Sequence, residues 1–325
     1  MGKLATIDST LPEAVDASFV AARAEMLAFH SPYHFLREVP MERQQARFGT
    51  GAALRYGSIP GQEVLPMAGA AGQWLLQNLP WDTQYFGTPT YRLFTGIFAG
   101  GTAAAALQEA AARLRHELAR RGPFYAFTLA PAEDIELLQA LTSGGWRLVE
   151  TRLNYYCDPR AATLPPPVAV RLARPDEAAH IGRVSAAARN PYDRFHADPW
   201  FGAQRADEFL GRFAEATVDG TYADGVLVPN EHGLPVDSFM AFSDVRADAE
   251  AMGMGFTRMV LTAVGPANRG WHYRLVAETI RRAATLNHAY ALMNTQSTNR
   301  AVFRTCEKVG LRVGSTSHVL ACHAG

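Results

Sequence analysis

With 325 residues the chain is long enough for two domains of ordinary size, and 48% hydrophobic content is ample for packed cores. The 31 Lys and Arg residues balance the 31 Asp and Glu residues, so no global field draws in nucleic acid or an anionic membrane, and nucleic acid as a partner would need a local basic patch. Three cysteines (Cys157, Cys306, Cys322) without paired spacing and 10 scattered histidines supply no metal motif and fit a reducing compartment. The N-terminus lacks a signal-peptide layout and no apolar run is long enough to span a bilayer, so the expectation is a cytoplasmic protein without a membrane partner.

Residues 1–80 read as a helical and irregular extension: Leu11 to Phe29 has helical apolar spacing, and Gly49 to Gly72 is Gly-rich and irregular. Residues 81–162 read as an α/β half. A turn at Trp81 and Asp82 precedes a strand through Phe94, an amphipathic helix follows from Thr102 to Arg120, then a strand (Phe124 to Leu129), a helix (Ala132 to Thr142) stopped by Gly144 and Gly145, and a strand from Trp146 to Cys157. Pro165, Pro166 and Pro167 make residues 163–167 the clearest linker. Residues 168–325 form the next domain. It opens with a strand (Val168 to Leu172), a helix led by Pro175 through Ala188, and a polar, aromatic loop from Asn190 to Trp200. A hairpin pairs Val226–Val228 with Ser238–Phe242, and a strand from Tyr290 to Thr295, a helix from Asn299 to Lys308 and a last strand from Val313 to Ala321 end the chain.

The chemistry concentrates between that hairpin and Tyr290. There the run M-V-L-T-A-V (259 to 264) meets Gly265 and Pro266, and a helical pattern begins within a few residues, with Arg269, Gly270, His272 and Arg274 at its opening. The first turn of a helix has N–H groups without intrahelical partners and a partial positive charge, so a strand running onto such an opening makes an anion site. A plain basic β-α connection is the alternative. Sliding the chain by 165 positions matches Tyr125 with Tyr290, Ala126 with Ala291, Gly145 with Gly310, Arg147 with Arg312, Thr151 with Thr316 and Cys157 with Cys322, which reads as a duplicated half-domain. The first copy has no counterpart of the R-G opening, so ligand chemistry is expected in the second half.

Residues 168 to 323 resemble the Gcn5-related N-acetyltransferase superfamily through V-R-L-A-R-P-D-E, the hairpin, L-T-A-V-G-P-A-N-R-G and N-T-Q-S-T-N…E-K-V-G-L. The strings L-P-W-D-T-Q-Y-F-G (79 to 87), D-R-F-H-A-D-P (193 to 199) and T-Q-S-T-N followed by V-G-S-T resemble its TDP-fucosamine acetyltransferase branch, whose members acylate a nucleotide-linked amino sugar. The resemblance implies an α/β (α+β) fold: a mixed, mostly antiparallel sheet with helices on both faces, in tandem, with a partial first copy and a complete second. It implies transfer of an acyl group from acetyl-CoA or another acyl-CoA to a small-molecule amine, without metal. The pantetheine would lie along Ala263 and Val264, with its pyrophosphate on the N–H groups of Arg269, Gly270, Trp271, His272, Tyr273 and Arg274, while Asn299 would touch the cofactor arm. Arg194 and Asp198 would shape the acceptor pocket and His196 would serve as base; the alternative is a solvated loop with a turn at Asp198. A homodimer is compatible with this reading.

The sequence also departs from the family. In its phosphate loop, Q/R-x-x-G-x-G/A, Arg269 fits the first position, but His272 and Arg274 fill the two small ones, where they either bind the pyrophosphate or block it. Seven residues after Asn299 the family carries a tyrosine that protonates the leaving thiolate; here that residue is Cys306, either a proton donor or a small core residue beside Val302 and Val309. Asn299 reads equally as a helix N-cap. Two other functions therefore stand beside acyl-CoA transfer: a non-catalytic binding or scaffold protein, and a transferase whose donor is an acyl carrier protein or aminoacyl-tRNA.

Overall fold

The computed structural model describes residues 14–324, and the chain divides into two compact units. The first comprises the chain up to His34, Pro40–Leu148 and Val319 onward; the second comprises Phe35–Val39 and Val149–His318. No helix among the described residues is long and apolar enough to cross a membrane.

The first unit is built on β1 (Gln62–Pro66), β2 (Gly72–Asn78), β3 (Thr90–Phe98) and β4 (Phe124–Pro131), in that order, with the end of the last strand beyond β4. Pairing is antiparallel from β1 to β3 and parallel between β3 and β4. The helix Ala104–Arg120 buries Leu107, Ala110, Ala111, Leu114 and Leu118, the 3–4 spacing of one face, against Trp74, Leu93, Phe124 and Trp146. Three readings change here. The segment read as irregular contains β1, and the turn at Trp81 and Asp82 is the first turn of a helix, Pro80–Phe86, closed by Gly87 at φ 64°. The helix read from Leu11 to Phe29 is two, Ala17–Ala22 and Ala24–Ala28, of which the reading's first three residues lie outside the described ones. It breaks at Arg23, whose guanidinium sits 4.2 Å over Phe98 and 2.6 Å from the buried Asp134 carboxylate.

The second unit contains β5 (Arg147–Cys157) from Val149 on, β6 (Val170–Leu172), β7 (Gly225–Pro229), β8 (Ser238–Ser243), β9 (Phe256–Val264), β10 (Tyr290–Gln296) and β11 (Arg312–Ala324) as far as His318. Their order is β11-β5-β10-β9-β8-β7-β6. β9 and β10 pair parallel, whereas β5–β10 and β6 through β9 pair antiparallel. One face packs on the helix Trp271–Thr285 through Met240, Phe242, Met259, Met293, Tyr155, Leu275, Val276 and Ile280. The other, over β7, β8 and β9, packs on the helices Ala178–Ala187 and Ala203–Val218 through Val226, Val228, Phe239, Ala241, Ile181 and Ala214. The sequence reading passed over Ala203–Val218 and the shorter Arg246–Met252. Gly211 explains part of that: a Cβ there would stand 3.2 Å from Gly182 O, so the two helices meet at a pair of glycines, which lower helix propensity.

Both units place a parallel strand pair in front of a long helix, and in both the pair is short. Thr90–Leu93 align with Tyr125–Thr128, and Phe256–Met259 with Tyr290–Met293. Beyond it, Thr95, Ile97 and Phe98 of β3 are buried, Ile97 by Val20, Leu27 and Leu75, whereas Val260, Leu261, Thr262 and Val264 of β9 stay half-exposed. The first copy thus has the strand-and-helix opening without its R-G residues, and apolar packing covers its strand.

Candidate functional site

β9 parts from β10 after Met259 and Met293. At the same point its pairing with β8 slips by one residue: Met259 lies opposite Phe242 and Leu261 opposite Ala241, leaving Val260 as a bulge. Side chains therefore change face across Val260. Met259 packs toward the helix Trp271–Thr285, whereas Leu261 and Ala263 pack toward Ala178–Ala187. From Val260 to Val264 the edge of β9 turned away from β8 has no strand partner among the described residues, so its backbone groups line a wedge. Ala263 and Val264 end that edge, Ala263 buried and Val264 half-buried.

The chain leaves this strand through a tight corner. Gly265 N–H donates to Asp237 O at 2.6 Å, Ala267 N–H donates to Asp237 Oδ2 at 2.8 Å, and the Asn268 amide donates to Pro235 O and Ser238 Oγ at 3.0 and 2.9 Å. Gly270, at φ 91°, then turns the chain into Trp271–Thr285, whose N-terminus no side chain caps. Arg269 and Gly270 are exposed and Trp271 is buried.

The side chains at the two unusual loop positions turn away from that N-terminus. His272 Nδ1 lies 3.0 Å from Thr305 Oγ1, whose own proton goes to Ala301 O, so Nδ1 carries the hydrogen. Burial lowers the His272 pKa to about 4, which keeps the ring neutral. Arg274 folds back, 5.2 Å from the Trp271 ring centre and 3.5 Å from Glu231. Tyr273 is half-buried under Lys308, whose ammonium is 5.6 Å from its ring centre.

The loop Asn190–Trp200 contains a short helical turn, Arg194–Ala197, capped by Asp193. His196 is nearly enclosed, its Nδ1 2.8 Å from Asp193 and its Nε2 3.0 Å from Asp207, so both ring nitrogens face carboxylates. The Arg189 guanidinium beside Asp207 holds that carboxyl below its ordinary range. Asp198 is buried and accepts from Trp200 N–H at 3.2 Å; the Arg194 guanidinium lies 4.4 Å over Phe195.

Glu150, which the sequence reading left out, ties this loop to the wedge. Its buried carboxylate accepts from Arg152 Nε (2.8 Å) and Arg194 N–H (3.1 Å), and the Gln296 amide lies 3.5 Å away. Gln296, at the end of β10, accepts from the Asn190 amide at 2.7 Å. The legible signal was the polar run Glu150, Thr151 and Arg152, with Asn154 after it, in the middle of a strand whose two ends carry the apolar and aromatic residues Leu148, Val149, Tyr155 and Tyr156.

Asn299 caps Arg300–Val309, accepting from Val302 N–H at 3.2 Å, and Gly310 ends that helix at φ 77°. Cys306 is fully buried among Leu275, Val276 and Val309, and burial pushes its thiol up to about 12. All three cysteines are buried and form no disulfide among the described residues, and no cluster of His, Cys, Asp and Glu among them is arranged to hold a metal.

No protein-family model and no curated protein matches the sequence. Solved structures do resemble the chain in fold. A GCN5-related N-acetyltransferase from Sphaerobacter thermophilus is 12% identical with a TM-score of 0.54, over 96% of this chain and 95% of that one. A glucosamine N-acetyltransferase region of a fungal multi-domain GH3 β-N-acetylglucosaminidase is 13% identical with a TM-score of 0.51, over 78% of this chain and 31% of that one. A tandem protein of the same class from the clavulanic acid biosynthesis pathway is 15% identical over 97% of this chain and 98% of that one, with a TM-score of 0.48. The chain has the fold of the GCN5-related N-acetyltransferases.

Proposed function

We propose that the protein is an N-acyltransferase that moves an acetyl or longer acyl group from acyl-CoA to the primary amine of a small acceptor, an amino sugar, in the cytoplasm. The observation that carries this reading is the wedge where β9 leaves β10, next to a helix start that no side chain caps. The donor's pantetheine amides hydrogen-bond the free edge of β9 at Ala263 and Val264, and its pyrophosphate takes the N–H groups of the first helical turn. With His272 turned toward Thr305 and Arg274 toward Trp271 and Glu231, the backbone at Gly270 is accessible, and Arg269 adds a cation.

The neutral amine attacks the thioester carbon, the C–N bond forms, and a backbone N–H of the free β9 edge stabilises the oxyanion. The C–S bond then breaks and the thiolate leaves. The surplus proton on nitrogen passes to solvent and the thiolate takes one from solvent, because His196 has both nitrogens engaged by carboxylates and Cys306 is enclosed. Arg194, His196 and Asp198 act by holding the acceptor loop in shape. Asn299 fixes the helix that flanks the donor.

The test is thermal protection: saturating acetyl-CoA or longer acyl-CoAs raise the melting temperature, and Arg269→Glu removes the rise. Unchanged melting with every acyl-CoA refutes the reading. The enclosed Cys306 favours one second reading, a protein that binds acyl-CoA without turning it over. Protection without thiol release across an amine panel would establish that one.

A further inference from the structure

On the sheet of the second unit, β5, β10 and β11 carry a polar stretch of face that belongs to neither of the two apolar clusters formed with the helices, with Asn294 exposed and Asn154 and Gln296 half-exposed. On β5 and β10, Tyr155, Cys157, Ala291 and Met293 face the helix Trp271–Thr285, so the alternate residues face the opposite way. Those are Glu150, Arg152 and Asn154 on β5, with Asn294 opposite Asn154 and Gln296 opposite Arg152 on β10. Ser315 of β11 joins them, accepting from the Asn154 amide at 3.0 Å, and alternation puts Ser317 beside it. The apolar cluster under Ala178–Ala187 and Ala203–Val218 takes in β7, β8 and β9 but none of these residues.

This floor is bounded at both ends. Phe35 packs on Tyr156, ring centres 5.4 Å apart, and a Cβ on Gly314 would meet its ring at 2.2 Å. At the other end the loop from Asn190 is fixed by Gln296 and Glu150. The β10 side of the floor adjoins the wedge, since Asn294 follows Met293, the last residue paired to β9.

We infer that this floor binds the uncharged, polyhydroxylated body of the acceptor, an inference that rests on the acyl-transfer reading. Its two charges neutralise each other, Glu150 with Arg152 at 2.8 Å, so no carboxylate is left to attract a polyamine. Asn154, Asn294, Ser315 and Gln296 offer both donors and acceptors, which suits hydroxyl groups that are also both. Asn294 is exposed and makes no side-chain hydrogen bond, and the buried Ser317 hydroxyl has no partner among the described residues. An alkyl or aromatic amine would bury these groups unsatisfied. The floor holds the sugar ring while its amine reaches the wedge beside β9.

The test compares D-glucosamine with hexylamine and spermidine, using acetyl-CoA and thiol release, in the full chain and in Asn294→Leu and Asn294→Gln. Glucosamine is expected to be the best of the three. Asn294→Leu should raise its KM about tenfold, the usual loss for one hydrogen bond, with kcat nearly unchanged. Asn294→Gln should recover part of the loss, the KM for hexylamine should fall in Asn294→Leu because a polar group that it leaves unsatisfied is gone, and acetyl-CoA protection should not move. A preference for hexylamine or spermidine overturns the inference, as does an unchanged glucosamine KM in Asn294→Leu. Protection by acetyl-CoA with no acylation of glucosamine overturns it while the donor reading stands. If acetyl-CoA gives no protection the donor reading fails, and NMR line broadening of glucosamine decides the floor alone. Broadening by wild type and not by Asn294→Leu supports it, and no broadening overturns it.

Discussion

Gly265 is the residue on which the corner after β9 depends, and Gly265→Ala puts a number on it. A Cβ there would lie 2.1 Å from Asp237 Oδ1 and 2.3 Å from its Cγ, well inside contact distance. The backbone cannot retreat, because Gly265 N–H is bonded to Asp237 O at 2.6 Å. Relief therefore requires the Asp237 carboxylate to swing out and abandon Ala267 N–H, now 2.8 Å away. Overpacking of this kind costs about 1–3 kcal/mol and the lost bond about 1 kcal/mol, so Gly265→Ala should lose about 2–4 kcal/mol. Asp237→Ala removes every atom that clashes and should cost only about 1 kcal/mol. The double variant should match Asp237→Ala, giving a coupling of about 2–4 kcal/mol in a double-mutant cycle. Urea unfolding followed by tryptophan fluorescence measures all four. Acetyl-CoA protection should fall in Gly265→Ala and return in the double variant, since the corner aims the helix start. A single variant within about 0.5 kcal/mol of wild type, or strict additivity, would refute the reasoning.

Three further outcomes are expected. Cys306→Ala should lose about 1–2 kcal/mol as a small cavity opens, while acyl transfer stays within about threefold of wild type; a loss of a hundredfold in kcat, with folding intact, would instead make the thiol the proton donor. Asn299→Ala removes a cap and should destabilise by about 0.5–2 kcal/mol in urea unfolding, with no change if the carboxamide does not hold Val302 N–H. His272 titrates near pH 4 folded against about 6.5 unfolded, so the unfolded chain takes up the proton first as pH falls. Its contribution is thus complete above about pH 6.5 and lost toward pH 4. His272→Gln should flatten that acid slope by about 2–3 kcal/mol, read as the difference in urea stability between wild type and variant across pH 7 to 4.

Apart from the helices Ala203–Val218 and Arg246–Met252, the second unit's elements were legible in the sequence because they announce themselves through local chemistry. Asn299 and Gly310 bracket their helix, and the β7–β8 hairpin follows from two apolar runs around N-E-H-G. The N-terminal region was opaque for a different reason. Arg23 sits mid-pattern in what reads as one amphipathic helix, and only its distant partner Asp134 makes it a break. At the site, the basic helix opening was legible, but the direction of His272 and Arg274 was not, since it depends on Thr305, Trp271 and Glu231. Glu150 was hidden by distance along the chain: its contacts to Arg194 and Gln296 span separations of 44 and 146 residues.

The bulge at Val260 gives β9 two phases. Up to Met259 the odd positions belong to one core, and from Leu261 they belong to the other. A reader counting every second residue from Phe256 would assign Thr262 and Val264 to the wrong side. Deleting Val260 would therefore restore a regular ladder without moving a side chain between cores: Leu261 would follow Met259 directly, still opposite Ala241, and Ala263 would stay with it. What the extra residue supplies is the local bend and added twist, placed at the same point where β9 leaves β10.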